Sequence, residues 1–315
     1  MSAIAIVGSG LIGRAWAISF ARGGHEVRLF DETPGAAASA RQFAAEALPM
    51  LEAEGLLDGQ NSSDIASRLS LAPSLEAALD GAVHVQESTP EVLDVKKTVY
   101  ARLDRIAAPD VVLASSTSAI LPSKFTAGLQ GRHRCLVVHP INPPYLIPAA
   151  EIVPAPWTAP EIVERTRALI AGIGQAPIVM KKEIDGFVMN RLQGALLEEA
   201  FRLVADGYAT VEDVDVGVRE GLALRWSFMG PFETIDLNAP AGIRDYVVRY
   251  QQIYERLFPS MQRRVDWAGP VLEGAEADRR SKLPATKLQD RQLWRDRRLM
   301  ALLAHKRRAK ETIGS

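Results

Sequence analysis

The sequence predicts an α/β fold in which a doubly wound, mainly parallel sheet is followed by an all-helical C-terminal domain, and three observations predict it. First, the apolar run Ile4-Ala5-Ile6-Val7 opens directly into the turn Gly8-Ser9-Gly10-Leu11-Ile12-Gly13 and then into an apolar helical pattern. Second, short apolar strand candidates recur along the first 184 residues, with amphipathic helical stretches between some of them, the alternation that builds parallel sheets. Third, strand patterning largely stops at Lys181-Lys182-Glu183-Ile184-Asp185, and the rest of the chain reads as helices separated by Gly and Pro. The expected domains are 1–184 and 185–315.

In the first turn, Gly8 permits a sharp change of direction, Gly10 lets backbone approach a pyrophosphate, and Gly13 lets the helix pack closely on its strand. The helix that begins at Leu11 and Ile12 then presents free N–H groups and a positive dipole end to phosphate. A glycine-rich corner alone also suits a purely structural turn. The second strand, Val27-Arg28-Leu29-Phe30, decides between the two: it ends in Asp31, 18 residues after Gly13. That is near the spacing of an acid that grips a ribose 2′-hydroxyl. The acid would repel a 2′-phosphate, so the expected cofactor is NAD rather than NADP, and the expected domain is Rossmann-type.

Residues 34–54, rich in Ala, Glu and Leu, read as a helix broken by Gly55 and the polar stretch 58–63, and the segment is expected to protrude as a hairpin. Further strands are expected at 83–86, 111–114, 135–138, 151–153 and 178–180, with helices at 92–107 and 159–173. Asp185 is the expected cap of a long helix over 186–205, with Val188, Leu192, Leu196 and Leu203 on one face and the pair Glu198 and Arg202 on another. Helices follow at 211–221, 243–258 and 284–310. The basic charges of the last run suit either a phosphate backbone or a solvated face, and the solvated face is the more ordinary reading.

The 315 residues suffice for two domains with substantial cores. A net charge of −1 sets up no overall attraction to nucleic acid or membrane. No stretch approaches 18 uninterrupted apolar residues and the first residues lack a signal pattern, so a cytoplasmic location is expected. Cys135 is the single cysteine, which excludes an internal disulfide; in its apolar run it reads as a buried filler. The five histidines show no HExxH-like spacing, so no metal site is expected.

Chemistry-bearing residues collect where a doubly wound sheet places its active site. Ser115-Ser116-Thr117-Ser118 follows a strand; Ser115 and Ser116 read as caps of the next segment. His139 ends another strand and heads a loop stiffened by Pro140 and Pro143, a setting for an imidazole that meets a substrate hydroxyl, although a histidine at a strand end is often structural. Glu151, 12 residues on, could orient and charge-stabilise it.

Taken with Asn142 and Asp185-Gly186-Phe187-Val188-Met189-Asn190-Arg191, this set resembles the 3-hydroxyacyl-CoA dehydrogenase superfamily, whose pattern is Ser, then HxxNP, then Glu, then GFxxNR. His84-Val85-Gln86-Glu87, Asn142-Pro143-Pro144-Tyr145, Lys182-Glu183-Ile184-Asp185-Gly186-Phe187, Gly221-Leu222-Ala223-Leu224-Arg225 and Trp294-Arg295-Asp296 resemble its λ-crystallin branch, which includes L-gulonate 3-dehydrogenase.

The resemblance implies that His139 is the general base, that Glu151 holds its tautomer, and that Ser118 and Asn190 hydrogen-bond the reacting oxygen. It also implies that Glu91 and Lys96 contact the cofactor ribose, whereas composition alone makes them helix-surface charges. Asn142 touches NAD or braces His139; Asn190, near a helix start, could instead bond local backbone. Arg225 departs from the acyl-CoA enzymes: a guanidinium there suits a free carboxylate that a thioester lacks, with a structural salt bridge as the alternative. The implied activity is NAD-dependent oxidation of the 3-hydroxyl of a small free hydroxy acid such as L-gulonate, by a dimer formed through the helical domain. The alternatives are a short-chain 3-hydroxyacyl-CoA or carnitine-type dehydrogenase, and a crystallin-like structural or NAD-sensing protein without turnover.

Overall fold

The computed structural model describes residues 2–314. Its strands are β1 (Ala3–Val7), β2 (Glu26–Phe30), β3 (Leu69–Leu71), β4 (Ala82–Glu87), β5 (Val112–Ser115), β6 (Cys135–Pro140), β7 (Ala149–Pro154) and β8 (Ala176–Val179). They form one sheet in the order β3-β2-β1-β4-β5-β6-β7-β8. All neighbours are parallel except β6 and β7. Successive strands run outward from β1 toward β3, and then from β4 in the opposite direction. This reversal opens a crevice at the carboxyl ends of β1 and β4, where such sheets bind ligands.

The helices of this region are α1 (Leu11–Arg22), α2 (Ala36–Ala53), α3 (Ser62–Ser67), α4 (Leu75–Leu79), α5 (Leu93–Ile106), α6 (Pro122–Thr126) and α7 (Pro160–Gly172). Alternate strand residues feed two cores, as period-two side-chain direction requires. Ile4, Ile6, Val27, Leu29, Val138 and Ile152 pack with Trp16, Phe20 and the buried residues of α2. Ala5, Val7, Val85, Leu113, Val137 and Val153 pack with Tyr100, Leu103 and Phe125. Burial on both faces explains why the strands read as nearly continuous apolar runs. A fully buried side chain such as Phe20 contributes about 1.5–3 kcal/mol.

Three expectations need correction. The segment after β2 does not protrude: Ala40, Ala44, Ala47, Leu48 and Leu51 of α2 and Ile65 of α3 are buried in the first core, because alanine at these positions lets α2 lie close against its neighbours. Next, α8 spans Met189–Ala205, so the helix starts three residues later than 186 and Asp185 is not its cap. Gly186 and Phe187 take φ values of 78° and 50°, a turn that buries the Phe187 ring completely. The amides of Val188 and Met189 are satisfied by Glu151 instead. Leu192 and Leu196, expected on one face of this helix, are exposed, and Glu198 pairs with Arg202 at 3.6 Å.

Finally, the expected helix over 211–221 is α9 (Val211–Val216), started by a capping box between Thr210 and Asp213, followed by a wide π turn at Gly217–Leu222 and α10 (Ala223–Trp226). The two glycines of the turn ease this departure from the four-residue ladder. Then come α11 (Pro231–Leu237), α12 (Ile243–Met261), α13 (Pro270–Lys282) and α14 (Leu288–Ile313).

The chain divides into two compact units. One takes in the residues through Asn190 together with Asp296–His305, and the other comprises Arg191–Arg295 and the residues from Lys306 onward. Met300 and Ala304 of α14 belong to the first core. No helix among the described residues is long and apolar enough to cross a membrane. Cys135 is buried, and burial, reinforced by Asp104, pushes its thiol up to about 12.

Candidate active site

The glycine turn is forced by its surroundings. A Cβ on Gly13 would lie 1.9 Å from the Gly8 carbonyl oxygen, and one on Gly8, whose φ is 92°, would lie 2.6 Å from the Ser88 carbonyl carbon. Gly10, in contrast, has no atom within 4 Å of where its Cβ would stand, which leaves open space against the backbone at the N-terminus of α1. Leu11 and Ile12 begin that helix, Leu11 being 72% exposed. Asp31 closes the other side of the turn: its Oδ2 accepts the Ser9 amide at 2.6 Å and its Oδ1 the Thr33 amide at 2.8 Å. Gly8, Gly10 and Asp31 line a cavity of about 490 Å³ whose walls include Phe30, Leu75, Val95 and Val99. An apolar slot, a ribose-directed acid and an open glycine backbone in succession fit the adenosine and diphosphate of a dinucleotide.

A neighbouring cavity of about 230 Å³ is lined by Ile12, Glu91, Lys96, Ser118, His139 and Asn142, among others. Pairing between β6 and β7 sets His139 directly opposite Glu151, and His139 Nδ1 lies 2.6 Å from Glu151 Oε2. The second carboxylate oxygen accepts the amides of Val188 at 2.7 Å and Met189 at 2.9 Å. The Phe187 ring packs on the imidazole, with centroids 5.6 Å apart. With Nδ1 engaged, Nε2 is the ring nitrogen left to the cavity. Burial raises the Glu151 carboxyl, but hydrogen bonds from His139 and from the Met189 and Val188 amides outweigh it and hold the group below its ordinary value. A depressed carboxyl contributes stability that is present above the unfolded value of about 4.3 and is lost as pH falls through the folded value. In thermal unfolding, acidification below about pH 4.3 is therefore expected to lower the melting temperature of the native protein more steeply than that of Glu151→Gln; parallel curves would contradict this.

Ser118 is exposed beside the same cavity, and its carbonyl accepts Asn190 Nδ2 at 2.7 Å, so the two residues are adjacent. Ser115 Oγ accepts the Thr117 amide at 3.2 Å, as expected of a residue that caps the next segment, whereas Ser116 is held in a different network. Ser115 Oγ donates to Glu87 at 2.6 Å, and Ser116 Oγ accepts Gln86 Nε2 at 2.7 Å within a buried network that includes His84, whose imidazole burial pushes down to about 4. Glu91 gathers the Thr117 hydroxyl and the amides of Ser118 and Ala119, so it shapes the loop that carries Ser118.

Lys96 is not a surface charge: it is 1% exposed, and its ammonium donates to both oxygens of Glu87, at 2.7 and 3.0 Å, and to the Thr89 carbonyl at 3.0 Å. Glu87 is not anticipated from the sequence. The available signal was an acid ending an apolar strand at the carboxyl edge of the sheet. Arg225 lies in the second unit, exposed, with Nη1 3.4 Å from Asn238 Oδ1.

Residues 3–184 match the 3-hydroxyacyl-CoA dehydrogenase NAD binding domain, and residues 186–272 match the C-terminal domain of the same family. The chain belongs to the 3-hydroxyacyl-CoA dehydrogenase family. As a member it is an NAD-dependent oxidoreductase. It is 43% identical to a lambda-crystallin homolog of Bos taurus over 95% of this chain and 94% of the relative. It is 41% identical to an L-carnitine dehydrogenase of a Pseudomonas species over 78% and 76% of the two chains. Among solved structures, 5-formyl-3-hydroxy-2-methylpyridine 4-carboxylic acid 5-dehydrogenase, an NAD+ dependent dismutase, superimposes with a TM-score of 0.83 at 31% identity over 99% of each chain.

Proposed function

We propose that the protein oxidises the 3-hydroxyl of a small free hydroxy acid, L-gulonate or a close analogue, with His139 as general base. The observation that carries this reading is the buried His139–Glu151 pair, which leaves Nε2 to the cavity also lined by Ser118 and Asn142. Bound NAD supplies the hydride acceptor; Gly8, Gly10, Leu11, Ile12, Gly13 and Asp31 hold its adenosine and diphosphate, and Glu91, Lys96 and Asn142 border its other half. His139 Nε2 takes the hydroxyl proton, giving an imidazolium whose Nδ1–H donates to the Glu151 carboxylate. The Ser118 hydroxyl and the Asn190 amide hydrogen-bond the reacting oxygen as negative charge develops on it.

Arg225 is assigned to the substrate carboxylate, to which a guanidinium offers two parallel hydrogen bonds. Its replacement is expected to raise KM for the free acid about 10- to 100-fold, the scale of a hydrogen bond between charged groups, while any activity on an acyl-CoA stays as it was. NADH formation by native protein and Arg225→Met, with L-gulonate, L-carnitine, L-3-hydroxybutyrate and 3-hydroxybutyryl-CoA in parallel, tests this. Preference for the thioester, or equal losses on both classes, would refute it. The similarity to L-carnitine dehydrogenase favours carnitine as the second substrate to consider, and it too is a 3-hydroxy acid with a free carboxylate.

We also propose a homodimer through the helical part, which with the nucleotide-binding part divides the chain near residue 185. No residue of α12 is buried, and Val247, Val248, Ile253, Leu257 and Phe258 stand exposed along it. Apolar surface of this extent marks an interaction site.

A further inference from the structure

We propose that Glu32 is a second determinant of cofactor choice and that it acts by occupying Arg102. Val95, Val99 and Arg102 of α5 fall four and three residues apart, on one helical face. The two valines form a wall of the larger cavity, and Arg102, one turn further on, lines it as well. Among the described residues that line this cavity, Arg102 is the one cation. Its Nη1 lies 2.6 Å from Oε1 of Glu32, the residue that follows Asp31.

The pair thus reaches from α5 to the end of β2, where the ribose acid stands. A 2′-phosphate would project from the ribose edge that Asp31 serves, bringing about two negative charges. Arginine is the side chain best shaped to receive such a group, and proteins that take the phosphorylated dinucleotide place one near this edge. Here the guanidinium is present but committed to a carboxylate. Asp31 repels the phosphate, and Glu32 withholds the residue that would attract it. With the Arg102 and Glu32 side chains 40% and 68% exposed, solvent screens the pair and it contributes little to folding, so its removal leaves a folded protein.

Dissociation constants for NADH and NADPH, measured by nucleotide fluorescence, test the assignment in the native protein, Glu32→Gln, Arg102→Met and the double variant. Glu32→Gln is expected to shift the NADH to NADPH preference about tenfold toward NADPH, the scale of one charge-assisted hydrogen bond gained. Arg102→Met alone should leave the ratio near the native one, and the double variant should lose the gain of Glu32→Gln. An unmoved ratio in Glu32→Gln would overturn the proposal. So would a gain that survives in the double variant, because the effect would then be the mere loss of a negative charge.

Discussion

His139→Gln is expected to lower kcat at least about 100-fold, the contribution of a positioned general base, while the dissociation constant for NADH changes only a few-fold. The substitution is chosen for its shape. A glutamine amide can still donate to Glu151, so the carboxylate keeps a partner and the turn at Phe187 keeps its packing. What it lacks is a nitrogen able to accept the hydroxyl proton. The cavity lined by Gly8, Gly10 and Asp31 does not include His139, which is why cofactor affinity and turnover should separate. Stopped-flow turnover together with NADH titration reads both quantities; a kcat equal to that of the native protein would show that the proton leaves by another route.

Glu151→Gln should be comparably damaging, for a different reason. The carboxylate makes three hydrogen bonds, accepting from His139 Nδ1 and from the amides of Val188 and Met189. A glutamine has one acceptor oxygen for these donors. If the oxygen stays on the two amides, the NH2 group faces Nδ1, which must then accept. The proton moves to Nε2, and the nitrogen that faces the cavity can no longer take one. The expected loss in kcat is between about 100-fold and about 10,000-fold, the upper figure being the effect of amidating the orienting acid in a serine-protease triad. If the oxygen instead turns to Nδ1, the NH2 meets two N–H donors, the start of α8 loses its acceptor, and the melting temperature drops. Full activity with an unchanged melting temperature would remove Glu151 from the mechanism.

These two residues are legible in the sequence because they lie on one local device. His139 lies near the end of β6 and Glu151 near the start of β7, and antiparallel pairing of those strands brings them together with little help from the rest of the chain. The glycine turn and Asp31 are legible for the same reason: each belongs to a short strand-turn-helix pattern. Glu87 and Lys96 are not. A lysine in the first turns of a charged helix reads as solvated, and only the end of β4, set beside β1 and β5, supplies the buried carboxylate that draws it inward.

β3 was unreadable because three residues cannot display a period. α8 starts later than the sequence pattern suggests because the turn at Gly186 and Phe187 serves the burial of one ring, a requirement of packing that local propensity does not express.

The return of Asp296–His305 to the first unit has a consequence for synthesis. A ribosome delivers the nucleotide-binding strands first, yet Met300 and Ala304, which fill part of that core, follow Asn190 by more than a hundred residues. At about 5–20 residues per second, several seconds of translation separate Asn190 from this plug, and during that interval the nascent domain exposes the apolar seat that α14 will take. Vectorial folding of the first unit therefore stops one step short of completion until α14 has been made, and a nonsense mutation or a protease nick before Asp296 removes the closing element of a unit whose other residues end, in sequence, more than a hundred residues upstream.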